Sequence, residues 1–221
     1  MTPRPSAGSR TVPVATGGEA MAHLLGADPV LSAIVKAHGR LDEDRRRRGR
    51  PAEAYGALLR SIVGQQLSTK AARTIYDRLA GLYGDRPPSP AELVATDPER
   101  LREVGLSRAK ASYLRSLADH VLAGELELDR LKELPDEEVS AQLTAVRGLG
   151  QWTADMFLIF HLRREDVLPV GDLGIRRAVQ IAYGLDELPD KASLTRIAQP
   201  WRPHRSLASL YLWRSLDNEP G

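Results

Sequence analysis

Cysteine does not occur anywhere among the 221 residues of the chain. Its absence excludes disulfide bridges, zinc sites built from thiolates, cysteine nucleophiles and iron–sulfur clusters held by cysteine. Apolar runs of membrane-spanning length are also missing, and the first 20 residues contain no hydrophobic stretch of the kind that signal peptides carry. We therefore expect no membrane association and a cytoplasmic location.

The composition divides the chain into a short tail and one globular region. Residues 1–20 are rich in Pro, Gly, Ser and Thr, which is typical of a disordered tail, whereas residues 21–221 form the predicted folded part. Charge is nearly balanced at +2, and 42% of the residues are hydrophobic. One dense basic run spans Arg45–Arg50, and it indicates a solvated loop between helices, with a DNA contact as the alternative.

Apolar residues recur at helical spacing along almost all of the chain, and no stretch alternates convincingly as a β-strand would. Ser68, Ser107 and Asp172 each stand where a side chain would cap the start of a helix. The helix after Asp172 is expected to turn Leu173 and Ile175 inward. These patterns predict an all-α fold.

A Gly-Leu-Gly turn at residues 148–150 separates two helical segments within Val146–Ala154 (VRGLGQWTA). Glycine lets the backbone approach a ligand closely, and the N–H groups at a helix start attract an anion such as a phosphate. Asp172 follows Gly150 by 22 positions and is a carboxylate that could carry chemistry. Taken alone, the two features favour an ordinary turn and an ordinary helix cap.

Five motifs occur in a fixed order, and together they are far more specific than any one of them. They are Ile62–Ala72, Val104–Lys110, the Gly-Leu-Gly hairpin, Gly171–Asp172, and Trp201–Ser206 with Leu212–Trp213. The series resembles the helix–hairpin–helix (HhH-GPD) DNA glycosylase superfamily, specifically its AlkA-type 3-methyladenine DNA glycosylases, over Ala54–Trp213. The resemblance implies a compact form with two helical lobes, about 54–150 and about 21–53 plus 151–221, and an active-site cleft between them.

The resemblance places the catalytic carboxylate at Asp172 and the substrate pocket at Trp152, Met156 and Trp213. Cleavage of a nucleoside builds positive charge on the sugar, which a carboxylate stabilises while it orients or deprotonates the attacking water. Relatives that also cleave the DNA backbone carry a lysine where this chain has Trp152, and indole cannot form a Schiff base. We therefore expect no abasic-site lyase activity. Trp201 is expected in the core.

Several further residues match positions that hold DNA in the family. Gln66 falls at the plug that fills the gap left by an extruded base, and Leu67 is the neighbouring candidate. The hairpin contributes the remaining predicted DNA contacts, which are Gly148, Leu149, Gly150 and Thr153.

No cofactor is expected, apart from a structural monovalent cation at the hairpin. The matching cation ligands are the main-chain carbonyls of Thr144, Val146 and Leu149.

The predicted function is a monomeric, monofunctional glycosylase that flips alkylated purines out of double-stranded DNA and excises them in base excision repair. The resemblance leaves the order of preference among 3-methyladenine, 7-methylguanine, ethenoadenine and hypoxanthine open. One alternative is a non-catalytic helix–hairpin–helix module that binds DNA or senses damage. The other is a bifunctional enzyme of the endonuclease III type, which the missing cysteines and the missing lysine disfavour.

Overall fold

The computed structural model describes residues 17–41 and 51–216, and every regular element within these ranges is helical. The predicted all-α fold is confirmed. The helices up to residue 122 are α1 (Gly17–Ala27), α2 (Pro29–His38), α3 (Ala54–Gly64), α4 (Thr69–Gly81), α5 (Pro90–Ala95), α6 (Pro98–Glu103) and α7 (Arg108–Leu122). The later elements are a 3₁₀-helix (Leu128–Glu133), α8 (Asp136–Ala145), α9 (Gln151–Met156), a π-helical turn (Phe157–His161), α10 (Leu173–Tyr183), α11 (Lys191–Ile197), a second 3₁₀-helix (Gln199–Trp201) and α12 (Arg205–Ser215). None of the described helices is long and apolar enough to cross a membrane.

The predicted tail at residues 1–20 extends too far. Residues 17–20 are the first turn of α1, while the rest of the predicted tail lies outside the described residues. The helix begins there because Ala20 and Leu24 bury their side chains in the core, which stabilises the first turns of α1. The basic run at 45–50 also lies outside the described residues.

Helix starts follow the predicted caps. The side chains of Ser68, Ser107 and Asp172 accept hydrogen bonds from the backbone N–H groups three residues later, at distances of 3.3, 3.2 and 2.7 Å. Each such cap stabilises a helix by about 1 kcal/mol because it satisfies an N–H group without an intrahelical partner. These three predictions are confirmed.

The helices pack in two sets around one continuous core. In the first set, α3 packs on α4 and α7, and α7 also packs on α5 and α6. In the second set, α2 packs on α1, α10 and α12, and α10 packs on α12. α8 packs on α9 across the hairpin, and the π-helical turn that follows α9 packs on α3. This arrangement brings the hairpin, the end of α3 and the start of α10 into one region.

Arg164, which follows the π-helical turn, provides a polar link within this framework. Its Nη2 donates hydrogen bonds to the carbonyl oxygens of Lys132 and Leu134, at 3.0 and 2.7 Å. Its Nε lies 3.2 Å from a carboxylate oxygen of Asp136 at the start of α8. The segment after the π-helical turn is thereby fixed to the segment before the hairpin.

The prediction that Leu173 faces inward is wrong, because 64% of its surface is exposed. The buried face of α10 begins at Ile175 and continues through Ala178 and Val179. Two residues of α-helix correspond to a rotation of about 200°, so Leu173 points away from the side that Ile175 buries.

A buried polar cluster around Asp28 ties three elements of the second set together. Oδ1 of Asp28 caps α2 by accepting from the N–H groups of Val30 and Leu31, at 2.8 and 3.1 Å. Oδ2 accepts from the hydroxyl of Tyr183 and from Nε1 of Trp201, the latter at 3.2 Å. Burial alone would raise the pKa of Asp28, but these hydrogen bonds lower it below its ordinary value. Trp201 is fully buried, which confirms the prediction that it belongs to the core.

We expect Asp28→Ala to lower the free energy of unfolding by at least about 2 kcal/mol, because it leaves the Trp201 N–H and the Tyr183 hydroxyl without their acceptor. The folded-state pKa is lowered, so this stabilisation is present above the ordinary value of 3.8 and is lost as the pH falls through the lower folded value. Urea denaturation across this range measures both effects.

Asp190→Ala serves as the control. It removes an exposed cap from α11, so we expect a smaller decrease in the free energy of unfolding. Equal losses for the two variants would contradict the role of the cluster.

Candidate active site

A cavity of about 320 Å³ opens where α3, the α3–α4 loop and α9 meet. Trp152, Met156 and Phe160 form an apolar wall on one side. Arg60 of α3 and Gln66 of the loop lie on other parts of the lining. The volume and the mostly apolar lining with a few polar groups are typical of small-molecule sites.

Trp152 is the most exposed aromatic side chain of the wall, with 40% of its surface accessible. It lies in the first turn of α9, immediately after the hairpin, so the hairpin determines where the indole stands. Met156 lies one turn further on, on the same side of the helix. The structure therefore brings Trp152 and Met156 together at the cavity, where the sequence analysis placed them.

The carboxylate of Asp172 is held by three N–H donors from three different helices. Oδ1 accepts from the backbone N–H of Ile175 at 2.7 Å and from Nε1 of Trp213 at 2.9 Å. Oδ2 accepts from Nε1 of Trp152 at 2.7 Å. Only 8% of Asp172 is exposed, so a nearly dry carboxylate with fixed orientation stands beside the wall of the cavity.

Trp213 does not line the cavity, which corrects the prediction that it belongs to the substrate pocket. Only 2% of its surface is exposed, because its ring lies against Phe160 with centroids 5.8 Å apart and planes 23° from parallel. Phe160 is the ring that reaches the lining. Trp213 instead contributes its N–H to Asp172.

The π-helical turn carries Phe160 and His161, which both line the cavity. A π-helical turn accommodates an extra residue and rotates the side chains that follow, and such turns are frequent at functional sites. His161 stacks on Phe157 at a centroid distance of 4.7 Å and lines the cavity. Burial, with a smaller effect from the charge of Arg163, lowers the pKa of His161 and favours its neutral form. Phe160 follows Trp152 and Met156 at intervals of four residues, so helical periodicity places it on their side of the chain.

Asp155 is a second buried carboxyl group that sequence reasoning missed. It lies on α9, where its Oδ1 accepts a hydrogen bond from Nε2 of Gln151 at 2.8 Å. Burial raises the pKa of Asp155 to about 6; the hydrogen bond from Gln151 opposes the increase and the negative charge of Asp172 adds to it. A single acidic residue in an otherwise apolar helix is the only signal that could have identified it.

The two glycines of the hairpin have different structural requirements. Gly148 has a φ of +94°, and a Cβ atom there would lie 2.2 Å from the ring of Tyr113, so only glycine fits. A Cβ atom on Gly150 would meet nothing within 4 Å, which leaves open space in front of the first turn of α9. The side chains of Leu149 and Thr153 are buried. The DNA contacts predicted for these two residues would therefore be made by their backbone groups.

The candidate plug residues, Gln66 and Leu67, are both exposed and both line the cavity. Gln66 has a φ of +57°, an uncommon conformation for a residue other than glycine. The loop that follows α3 therefore presents one polar and one apolar side chain at the same edge of the cavity. Both remain candidates for the plug.

The predicted cation site stays a prediction, and the carbonyl groups at two of its three residues have acceptor capacity to spare. Thr144 lies in the last turn of α8, where carbonyl groups have no intrahelical partner. The carbonyl of Val146 accepts one hydrogen bond, from the N–H of Leu149 at 3.0 Å, and a carbonyl oxygen has two lone pairs. Oxygen ligands of this kind suit a monovalent cation, which would fix the hairpin turn.

We predict that Asp155→Asn changes how stability depends on pH. Because the folded-state pKa is raised, Asp155 favours the folded state below its ordinary value of 3.8, and this contribution is lost as the pH rises through about 6. Asparagine does not ionise, so the variant should gain stability relative to the natural protein by on the order of 2 kcal/mol between these limits. Urea denaturation of both proteins across the range measures this, and parallel pH profiles would refute it.

Comparison with known proteins agrees with this geometry. Residues 59–203 match the family of HhH-GPD superfamily base excision DNA repair proteins. DNA-3-methyladenine glycosylase 1 of Schizosaccharomyces pombe is 33% identical over 195 residues, which cover 87% of this chain and 85% of that protein.

Two solved structures share the fold. The 3-methyladenine DNA glycosylase Mag1 of Schizosaccharomyces pombe, in complex with abasic DNA, has a TM-score of 0.80 and 32% identity, covering 90% of this chain and 97% of that chain. DNA-3-methyladenine glycosidase of Bacillus halodurans has a TM-score of 0.77 and 34% identity, covering 91% and 89%. The resemblance that the five motifs carry is confirmed. The chain belongs to the HhH-GPD superfamily of base excision DNA repair proteins.

Proposed function

We propose that this protein is a monofunctional DNA glycosylase that flips an alkylated purine out of double-stranded DNA and hydrolyses its N-glycosidic bond. The observation that carries the proposal is the carboxylate of Asp172, fixed by two indole N–H groups beside a cavity of about 320 Å³. Relatives that are named as 3-methyladenine glycosylases support the choice of substrate class. The relative in complex with abasic DNA supports double-stranded DNA as the partner.

Cleavage begins at the bond between the sugar carbon C1′ and the purine nitrogen. The bonding electrons leave with the base, so a purine that alkylation has made cationic departs as a neutral molecule and needs no added proton. Positive charge develops on the sugar, and the carboxylate of Asp172 stabilises it. Water then bonds to C1′ and loses a proton to Asp172 or to solvent, which leaves an abasic site.

The cavity wall accounts for a preference for cationic bases. Trp152 exposes its indole face, and an electron-rich face attracts a cation by about 0.5–2 kcal/mol. The negative charge of Asp172, 2.7 Å from Nε1 of Trp152, acts in the same direction. We therefore expect 3-methyladenine to be released faster than the neutral base hypoxanthine.

The side chains at the cavity support the expectation that the protein has no lyase activity. A Schiff base with the sugar needs an amine, and no lysine lines the cavity within the described parts of the chain. The amine of Lys110 is held away from the lining, because its Nζ donates to the carbonyl of Val63 at 2.7 Å. The expected products are thus a free base and an intact strand with an abasic site. We further propose that the protein acts as a monomer in the cytoplasm.

Asp172→Asn should slow base excision by at least about 100-fold, the scale expected for one positioned charged group. The amide keeps one oxygen to accept from the Ile175 N–H, so the helix cap and the fold should survive. Single-turnover release of 3-methyladenine from methylated duplex DNA measures the effect. Asp190→Asn, which alters the exposed cap of α11, is the matched control and should retain full activity. Near-natural excision by Asp172→Asn would remove Asp172 from the mechanism.

Trp213→Phe should slow the release of 3-methyladenine and of hypoxanthine by the same factor, about tenfold. The change removes the N–H that positions Asp172 but leaves an aromatic ring against Phe160, and neither effect depends on the charge of the base. Trp152→Ala, in contrast, removes the exposed indole face and should slow the cationic base more than the neutral one. Selective loss of the cationic substrate in Trp213→Phe would show that Trp213 contacts the base after all.

A further inference from the structure

The loop that follows α3 carries the candidate plug in a conformation that its surroundings must impose. Gln66 has a φ of +57°, and a positive φ in a non-glycine residue costs free energy unless neighbouring contacts hold it. Within the loop, the N–H of Gln65 donates to the carbonyl of Ile62 at 3.3 Å, and the N–H of Leu67 donates to that of Gly64 at 3.1 Å. These bonds set the turn but do not fix it against the rest of the protein.

Two side-chain hydrogen bonds connect this turn to other elements. Nε2 of Gln65 donates to the carbonyl of Gly148 in the hairpin at 2.7 Å. Nζ of Lys110, in the first turn of α7, donates to the carbonyl of Val63 in the last turn of α3, also at 2.7 Å. The hairpin and α7 therefore hold Gln65 and Val63, which come directly before the plug candidates Gln66 and Leu67.

Gly148 is a rigid point of attachment. Its φ of +94° and its close approach to Tyr113 leave the hairpin backbone little freedom to move. The same hairpin begins α9, which carries Trp152 and thus one hydrogen bond to the catalytic carboxylate. A displacement of the hairpin would therefore shift both the plug residues and the hydrogen bond to Asp172.

We propose that Gln65 is a positioning residue that couples the phosphate-binding hairpin to the plug, so that gripping the DNA backbone and filling the gap beside the flipped base occur in one fixed geometry. The inference rests on the proposed function. It assigns Gln65 no contact with the base or the sugar. Gln65 acts through the side chains of Gln66 and Leu67, and Lys110 supports the same turn from the other side.

The test uses Gln65→Met and Gln65→Glu, which match glutamine in length but cannot donate a hydrogen bond to the Gly148 carbonyl. Affinity is measured for an undamaged duplex and for a duplex with a stable abasic analogue, where the plug has a gap to fill. Both variants should bind the abasic duplex about tenfold more weakly while changing the affinity for undamaged DNA less than about twofold. Fluorescence of 2-aminopurine beside the abasic position should fall in parallel, since it reports unstacking by the plug.

Two controls make the outcome specific. Gln199→Glu changes an exposed glutamine in the second 3₁₀-helix and should leave both affinities unchanged. In a background with Gln66 and Leu67 both changed to alanine, Gln65→Met should add less than about twofold, because residues that act through one element are not additive.

Three results would overturn the proposal. In the first, Gln65→Met binds the abasic duplex as tightly as the natural protein does. In the second, Gln65→Met still weakens binding about tenfold when Gln66 and Leu67 are both alanine. The third is a defect confined to Gln65→Glu, which would reflect repulsion between the carboxylate and DNA. Failure of the proposed function is a separate result, since it would appear as absent base release by the natural protein.

Discussion

The hydrogen bonds to the carboxylate of Asp172 are the interaction on which the arrangement of the site depends. Transfer of a charged carboxylate into the protein interior is unfavourable unless hydrogen-bond donors replace the lost water. Here the backbone of α10 and the indoles of α9 and α12 supply them, so satisfying one charge requires three helices to meet. The carboxylate that we propose stabilises positive charge on a sugar thus also holds three helices together.

The fold uses the same chemistry a second time, away from the cavity. Asp28 caps α2 and accepts from the indole of Trp201 and the hydroxyl of Tyr183, as Asp172 caps α10 and accepts from two indoles. The difference lies in the surroundings. The Asp28 cluster is enclosed by helices of the second set, whereas Asp172 is joined through Trp152 to an open cavity. One cluster therefore serves stability, and the other is placed to serve chemistry.

The sequence predicted what depends on local physics and missed what depends on side-chain direction. Helical spacing and capping residues gave the all-α fold and the starts at Ser68, Ser107 and Asp172. The placement of Trp213 could not be predicted, because its position in the sequence does not tell which way an indole points. Phe160 lies in a π-helical turn and yet keeps the four-residue spacing from Met156, so it lines the cavity with Trp152 and Met156.

The central claim is that the protein hydrolyses the glycosidic bond with water and does not cut the strand. Its most direct test is incubation with methylated duplex DNA, with chromatography of the released bases and a parallel sample that contains borohydride. The account predicts free 3-methyladenine, abasic sites in an unbroken strand, and no covalent complex between protein and DNA. A complex trapped by borohydride would contradict the use of water as the nucleophile, and the absence of any released base would contradict glycosylase activity.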